Sequence, residues 1–248
     1  MSIKDRQEEI LSILKEHGHV SIHKLSQMIH VSEPTLRRDL AQMDSMGLIK
    51  RTHGGAMMPE NEAYQPLVIR NADDVTAKKI ICAKAASLVK NDSTIFIDSS
   101  STAYYLTRYL SNKQNLTVVT NSILLSQQLC EMKINTFCTG GHININDMAL
   151  RGSYAEDFLK KMRFDMTFFS CSGLSLDGWL SGHMEYGVSF LKTLLQQSDY
   201  RVLMRISRKI GTRCTHQLCS LADIDEFITD QPLSEEFQKM IGTNRRKA

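Results

Sequence analysis

The chain has 248 residues, 42% hydrophobic and 23% charged, which is typical of a globular protein with one large domain or a small domain joined to a medium one. The formal net charge of +3 is too small to indicate nucleic-acid binding, so any affinity for DNA requires a local cluster of Lys and Arg. No apolar run reaches roughly 18–20 residues and the amino terminus has no apolar signal segment, so we expect a cytoplasmic protein that does not enter a membrane.

Three short helices are predicted in the amino-terminal region, because apolar residues recur there at helical spacing within 10–14, 25–29 and 36–43. The third helix has Ser32 as its N-cap and Pro34 in its first turn, and it ends at Gly47. Residues 47–57 then predict a small hairpin that turns near Gly54 and Gly55.

The outer face of the third helix carries residue types that read DNA. With its apolar stripe turned to the core, small and hydroxyl residues allow close approach to base edges, while arginines reach guanine or phosphate. The basic hairpin is suited to contact the sugar-phosphate backbone, and Asp39 is expected to pair with a neighbouring basic residue. The candidate DNA-binding residues are Ser32, Pro34, Thr35, Arg37, Arg38, Gln42, Lys50, Arg51 and His53.

The rest of the chain alternates apolar strand candidates with amphipathic helical stretches, beginning with a helix over 75–89. The predicted strands are Thr94–Ile97, 116–119, 134–137, 166–171, 200–204 and 227–229. This alternation predicts an α/β domain with a mainly parallel, three-layer sheet. We therefore expect a DNA-binding domain over 1–57, a linker over 58–72, and an effector-sensing and oligomerisation domain over 73–248.

The segment VSEPTLRRDLAQMDSMGLIKRTHGGA (31–56) resembles the signature of the DeoR family of helix-turn-helix repressors. The resemblance implies an amino-terminal winged helix-turn-helix, with DNA contacts from Ser32, Thr35, Arg37, Arg38 and Arg51. It continues more loosely over 73–230. There it implies a sensor domain that resembles sugar-phosphate isomerases and CoA transferases and binds a phosphorylated sugar or similar anionic metabolite.

The expected effector site lies in the loops that follow the predicted strands. Hydroxyls and free N–H groups at helix N-termini bind anions, and the carboxyl ends of parallel strands meet at one edge of a sheet. The candidate effector-binding residues are Asp98, Ser99, Ser100, Ser101, Thr102, Thr120, Asn121, Gly140, Gly141, Arg151, Gly152, Ser172, Gly173, Glu185 and Lys209.

This chain departs from the family pattern at positions that matter for the ligand. Ser100 stands where the family usually has glycine, so either a positive φ strains the serine or the loop has a different shape. Ile206 replaces an acidic residue, and another acidic position aligns better with Val188 than with Glu185. Phosphate-binding features are therefore better kept than hydroxyl-binding ones, which favours an anionic ligand over a sugar as such.

Three functions are compatible with these features. The first is a repressor whose affinity for double-stranded operator DNA changes with a phosphorylated metabolite, and the second is a repressor whose sensor has lost its ligand. The third is an enzyme, an isomerase or an acyl-CoA transferase, that uses Asp98, Glu185 and Lys209 as acid and base. We expect no enzyme activity, no catalytic residues and no cofactor.

Partners and redox state follow from the same features. Two-fold operators suit a homodimer or higher homo-oligomer, with contacts through the carboxyl-terminal domain. The six cysteines have no CxxC spacing and are expected to be reduced. His19 and His23 lack further ligands at suitable spacing, so we expect no metal site.

Overall fold

The computed structural model describes residues 3–58 and 66–244. The chain divides into two compact units, Met1–Arg70 and Asn71–Ala248. Part of the linker predicted over 58–72 falls on 59–65, outside the described residues, and its last part forms the helix α4 (Leu67–Ala72). Among the described residues the structure has no helix that is both long and apolar enough to cross a membrane.

The described residues 3–58 of the first unit form three helices and a small antiparallel sheet. Its elements are α1 (Ile3–His17), β1 (His19–Ser21), α2 (Ile22–Ile29), α3 (Glu33–Ser45), β2 (Lys50–Thr52) and β3 (Gly55–Met57). The sheet order is β1-β3-β2, so the predicted hairpin is completed by a third strand that the sequence did not predict. This arrangement is the expected winged helix-turn-helix.

The hairpin turn lies one residue earlier than predicted. Thr52 pairs with Gly55, so His53 and Gly54 form the turn and Gly55 belongs to β3. Gly55 is required for contact between strands, because a Cβ atom there would lie 2.1 Å from the carbonyl oxygen of Val20.

The core of the first unit joins all three helices. Leu36, Leu40 and Met43 of α3 are at most 1% exposed and pack in one cluster with Ile10 and Leu14 of α1. Ile22, Leu25 and Ile29 of α2 belong to the same cluster. This packing fixes which side of α3 faces outward.

The second unit is built on a six-stranded parallel sheet of order β14-β12-β9-β4-β5-β6. Its strands are β4 (Thr94–Ile97), β5 (Thr117–Thr120), β6 (Asn135–Cys138), β9 (Phe164–Phe169), β12 (Ser198–Met204) and β14 (Glu226–Ile228). All six predicted strands are confirmed, with bounds displaced by at most two residues.

Short antiparallel strands accompany this sheet. They are β7 (His142–Asn144) and β8 (Ala149–Arg151), which form a hairpin, and β10 (Gly173–Leu174), β11 (Trp179–Gly182) and β13 (His216–Ser220), which form a three-stranded sheet. The sequence did not predict them.

The helices of the second unit are α5 (Val75–Leu88), α6 (Ile123–Glu131), α7 (Ser153–Lys160), α8 (Glu185–Gln196) and α9 (Glu235–Met240), with 3-10 helices at Ala103–Tyr109, Ser207–Lys209 and Leu221–Asp223.

Helices cover both faces of the parallel sheet. Ile95 and Ile97 of β4 share a core cluster with residues of α5 and α6, whereas Phe96 packs in a second cluster with residues of α7 and α8. This alternation is the period of a strand buried on both sides. The expected three-layer architecture is confirmed, and the loops after the strands meet at the carboxyl edge of the sheet.

Candidate DNA interface and effector site

The outer face of α3 presents the predicted DNA-reading residues to the surface. Ser32, Pro34, Arg37, Arg38 and Gln42 are exposed, and Thr35 is half-buried. The opposite face supplies the buried apolar residues of the core. The helix therefore offers a polar, cationic surface on a rigid, packed support.

Asp39 lies on α3 but is turned inward. Its carboxylate accepts two hydrogen bonds from Arg6 of α1, from Nε at 2.8 Å and from Nη2 at 3.1 Å, and the residue is 5% exposed. The expected pairing with a basic residue is confirmed, although the partner is distant in sequence. The pair ties α3 to α1 and keeps this negative charge away from the outer face.

Local contacts hold the arginines along the exposed face of α3. Nη2 of Arg37 lies 3.4 Å from a carboxylate oxygen of Glu33, and Nε of Arg38 lies 3.5 Å from the carbonyl oxygen of Pro34. Because these contacts are long and exposed, both guanidinium groups can exchange them for stronger partners such as base edges or phosphates.

The β2–β3 hairpin carries the remaining basic candidates. Lys50, Arg51 and His53 are all exposed. The backbone N–H of Arg51 donates to the carboxylate of Asp44 at 3.0 Å, which anchors the start of the hairpin to the end of α3. The exposed basic residues of the helix and of the hairpin thus belong to adjoining elements of one packed unit.

In the second unit, the serine loop (residues 98–102) follows β4 and is organised around a buried carboxylate. Asp98 accepts hydrogen bonds from the N–H and hydroxyl of Ser100, at 3.0 and 2.6 Å, and from the N–H of Ser170 at 2.9 Å. Burial raises the pKa of Asp98 to about 6, although these hydrogen bonds and the charge of Arg151 oppose the rise.

Ser100 distinguishes between the two alternatives that the sequence left open, a strained serine and a loop of different shape. It is not among the described non-glycine residues with positive φ, so the anticipated strain is absent at this position. Its hydroxyl instead bonds Asp98 and accepts the N–H of Ala103 at 3.2 Å, so a side chain shapes the turn.

Asn121 connects the serine loop with the next loops of the sheet edge. Its Nδ2 donates to the hydroxyl of Ser99 at 3.3 Å and to the carbonyl of Leu150 at 3.4 Å. The residue is 1% exposed, and its Oδ1 has no hydrogen-bond partner among the described residues. Thr120 ends β5 beside it and donates to the carbonyl of Ile97 at 2.7 Å.

Arg151 contributes a cation to this edge. Its Nη2 lies 2.9 Å from the carboxylate of Asp147 and its guanidinium stacks on the ring of Tyr186 at 5.5 Å, whereas its buried Nε has no partner among the described residues. Gly141 passes so close that a Cβ atom would lie 2.4 Å from the carbonyl oxygen of Arg151. Gly140 precedes this contact, and Gly152 follows Arg151 at the start of α7.

The sequence analysis missed Arg205, which links the remaining candidates. Arg205 is 3% exposed and its Nη2 donates to the carbonyls of Ser172 and Lys209 at 2.9 and 2.7 Å. It thereby joins the loop before Gly173 to the 3-10 helix that carries Lys209. The available signal was a charged residue directly after an apolar strand.

Two acidic positions of the family pattern do not contribute a carboxylate to this edge. Glu185 is exposed in the first turn of α8, and Val188 is buried in the core at 5% exposure. Ile206 is likewise a core residue, 3% exposed in the cluster that contains Met204. The other effector candidates follow the strands at the carboxyl edge of the sheet, and Glu185 is exposed next to Tyr186, whose ring contacts Arg151.

Comparisons with known proteins agree with this division of the chain. Residues 6–62 match the family described as DeoR-like helix-turn-helix domain, and residues 73–231 match the DeoR C terminal sensor domain. An uncharacterized HTH-type transcriptional regulator of Bacillus subtilis, YulB, is 30% identical, with 100% of this chain and 96% of that protein covered.

A second relative is the glycerol-3-phosphate regulon repressor of Escherichia coli, 29% identical over 94% of this chain and 92% of that protein. Among solved structures, ribose 5-phosphate isomerase from Plasmodium falciparum superposes with a TM-score of 0.40 and 17% identity, over 54% of this chain and 52% of that one.

Proposed function

Since this chain belongs to the DeoR family of helix-turn-helix transcriptional regulators, we propose that it represses a carbohydrate or related metabolic operon by binding double-stranded operator DNA. A phosphorylated metabolite bound to the second unit then changes its operator affinity. The protein acts in the cytoplasm as a homodimer or higher homo-oligomer, because a two-fold operator requires two copies of the reading helix.

One observation carries the DNA-binding part of the proposal. Arg37 and Arg38 are exposed on α3, while the acidic residue that follows them is withdrawn into a buried ion pair with Arg6. A helix with this surface fits the major groove, where arginine pairs with guanine O6 and N7. The basic hairpin beside it supplies phosphate contacts.

The effector part of the proposal is supported by unsatisfied polar atoms at the sheet edge. A buried acceptor, Oδ1 of Asn121, and a buried donor, Nε of Arg151, have no partner among the described residues. Leaving such groups unpaired costs free energy, which a ligand with both hydroxyl and anionic groups would recover. This favours a working sensor over one that has lost its ligand.

The same geometry argues against an enzyme. Both carboxylate oxygens of Asp98 already accept hydrogen bonds, and Glu185 is exposed in the first turn of α8. An isomerase needs a positioned acid–base pair within reach of one substrate atom. We therefore assign the second unit a binding role without catalysis.

DNA binding is tested with duplexes selected by the protein from a random pool. Arg38→Ala is expected to weaken binding by about 1–3 kcal/mol, roughly 5–150-fold, because one base contact is lost. Arg163→Ala is the control, since Arg163 is an exposed arginine of the second unit that pairs with Asp199. Equal affinity of both variants would refute the proposed reading face.

Effector binding is tested by thermal shift with inorganic phosphate, glycerol 3-phosphate, fructose 1-phosphate and glucose 6-phosphate. A ligand at about 100 times its Kd stabilises the folded state by about 2.7 kcal/mol. Lys209→Ala should abolish the shift, whereas Lys192→Ala, on the exposed side of α8, should keep it. If no compound gives a thermal shift, the result favours a sensor that has lost its ligand. Turnover of a sugar phosphate would support the enzyme hypothesis.

A further inference from the structure

The junction segment (residues 71–74) is where the second unit begins and where the chain continues from the first. It is held by side chains from three separate elements of the second unit. Each of these elements lies at or next to the candidate effector site. The arrangement has the form of a latch at the point where the chain passes from the DNA-binding unit into the second unit.

The first contact comes from the 3-10 helix that follows the serine loop. The hydroxyl of Tyr105 donates to the carbonyl oxygen of Asn71 at 2.8 Å, in a buried position. Tyr105 is 7% exposed, and only two residues separate it from Thr102 at the end of the serine loop. Any displacement of this loop therefore acts directly on Asn71.

The second contact comes from a buried lysine that the sequence analysis did not single out. Lys78 of α5 is 2% exposed, and its Nζ donates to the carbonyl oxygen of Asp73 at 2.6 Å. Its charge also acts on the thiol of Cys82, which itself donates to the carbonyl of Thr102 at 3.0 Å. This ammonium thus lies near the end of the serine loop.

The third contact involves Arg208, next to the candidate Lys209. Nε of Arg208 donates to a carboxylate oxygen of Asp74 at 2.9 Å, and Nη2 contacts the same oxygen. This hydrogen bond is the main cause of the lowered pKa of Asp74, to which the charges of Lys209 and Lys78 add. Three cations, including that of the effector candidate Lys209, therefore act on the junction segment.

We propose that the junction segment is a latch that the bound effector opens. The inference rests on the proposed function. A phosphate group at the serine loop attracts Lys78 and Arg208 more strongly than a backbone carbonyl and one carboxylate do, because it carries about −1.5 to −2 charges. As these cations turn to the ligand, residues 71–74 lose their restraint, and this change in the freedom of the junction alters operator affinity.

Hydrogen exchange of the full-length protein tests the latch. Peptides covering 67–78 are followed with and without a phosphate compound that gives a thermal shift. Tyr105→Phe removes one hydroxyl and should speed exchange of these amides about fivefold without ligand, the weight of one buried hydrogen bond. Tyr104→Phe is the matched control and should leave exchange unchanged.

Operator affinity provides the second measurement. In the wild type, the phosphate compound should accelerate exchange over 67–78 and change operator affinity by about 5–150-fold. In Tyr105→Phe the ratio of operator affinity with and without the phosphate compound should shrink at least about threefold, because one restraint on the junction segment is already lost. Arg208→Ala should reduce this ratio in the same way. Arg213→Ala, which breaks an exposed ion pair with Asp177, should leave the ratio unchanged.

The outcomes separate the latch from the proposed function. If a phosphate compound binds and shifts operator affinity, but exchange over 67–78 does not respond and both latch variants keep the full ratio, the latch is refuted and the proposed function stands. If no phosphate compound binds or shifts affinity, the sensing function fails and the latch fails with it.

Discussion

The close approach of Gly55 to β1 makes a sharp test of the structure of the DNA-binding unit. A Cβ atom at Gly55 would lie 2.1 Å from the carbonyl oxygen of Val20 and 2.8 Å from Cα of Ser21, both of which are backbone atoms. Since Cβ contacts below about 3 Å essentially do not occur, β1 and β3 must separate in Gly55→Ala. Gly54, one residue earlier, has no atom within 4 Å of the same position and provides the control.

The cost can be worked out from the strand pairing. β3 pairs with β1 at three positions, so Gly55→Ala weakens these backbone hydrogen bonds and adds overpacking strain. We expect a loss of about 1–3 kcal/mol of unfolding free energy in urea titrations, with weaker operator binding because Arg51, which pairs with Ala56, shifts with β3. Gly54→Ala should change stability by less than about 0.5 kcal/mol. Equal stability of the two variants would refute the register of β1 and β3.

Three further predictions concern both units. The pKa of Asp98 is raised to about 6 from an ordinary 3.8, so between these values the folded chain holds a proton that the unfolded chain has lost, and stability falls as pH rises through 6. In urea titrations the wild type should therefore lose about 1.4 kcal/mol of unfolding free energy relative to Asp98→Asn between about pH 5 and 8. Parallel pH dependences of the two proteins would contradict this. Iodoacetamide should modify the exposed Cys130 and Cys138 before Cys82, because burial raises the pKa of the Cys82 thiol to about 12. Mass spectrometry after brief treatment measures the order, and early labelling of Cys82 would contradict its burial. Leu40→Ala, at a site 1% exposed, should cost about 2–5 kcal/mol of unfolding free energy, and a cost below about 1 kcal/mol would show that α3 is not packed as described.

The parallel sheet was predictable because its strands are short apolar runs between helical stretches. Thr94–Ile97 was predicted with its observed bounds, since β4 is central and covered on both faces. The strands that escaped prediction have two to five residues, and the pairing of β1 with β3 and of β11 with β13 joins segments that are distant in the sequence. The local sequence pattern does not predict pairing of this kind.

The candidate site was predictable in its residue types but not in its contacts. The loops after β4 and β5 were identified from hydroxyl and amide side chains, and the structure joins them through Asn121 and Ser99. Arg205 was missed because a single charge after a strand does not reveal that backbone carbonyls surround it. For Ser100 the sequence left strain and a different loop shape both open, since it did not show that the hydroxyl would shape the turn.

The inward position of Asp39 depended on the same kind of long-range information. Its partner Arg6 is 33 residues away, and the spacing of charges along α3 gives no sign of it. Periodicity correctly placed Leu36, Leu40 and Met43 in the core, and this fixed the outer face. What periodicity could not supply was the pairing that leaves that face free of the Asp39 charge.

We propose that the exposed face of α3 reads base edges. Parallel selections of DNA from a random pool by the wild type, Arg38→Ala and Arg51→Ala test it most directly. If Arg38 contacts a base and Arg51 a phosphate, the selected motif of Arg38→Ala loses its preference at one position of each half-site, whereas Arg51→Ala selects the wild-type motif with lower affinity. An unchanged motif and unchanged affinity for Arg38→Ala would contradict the account.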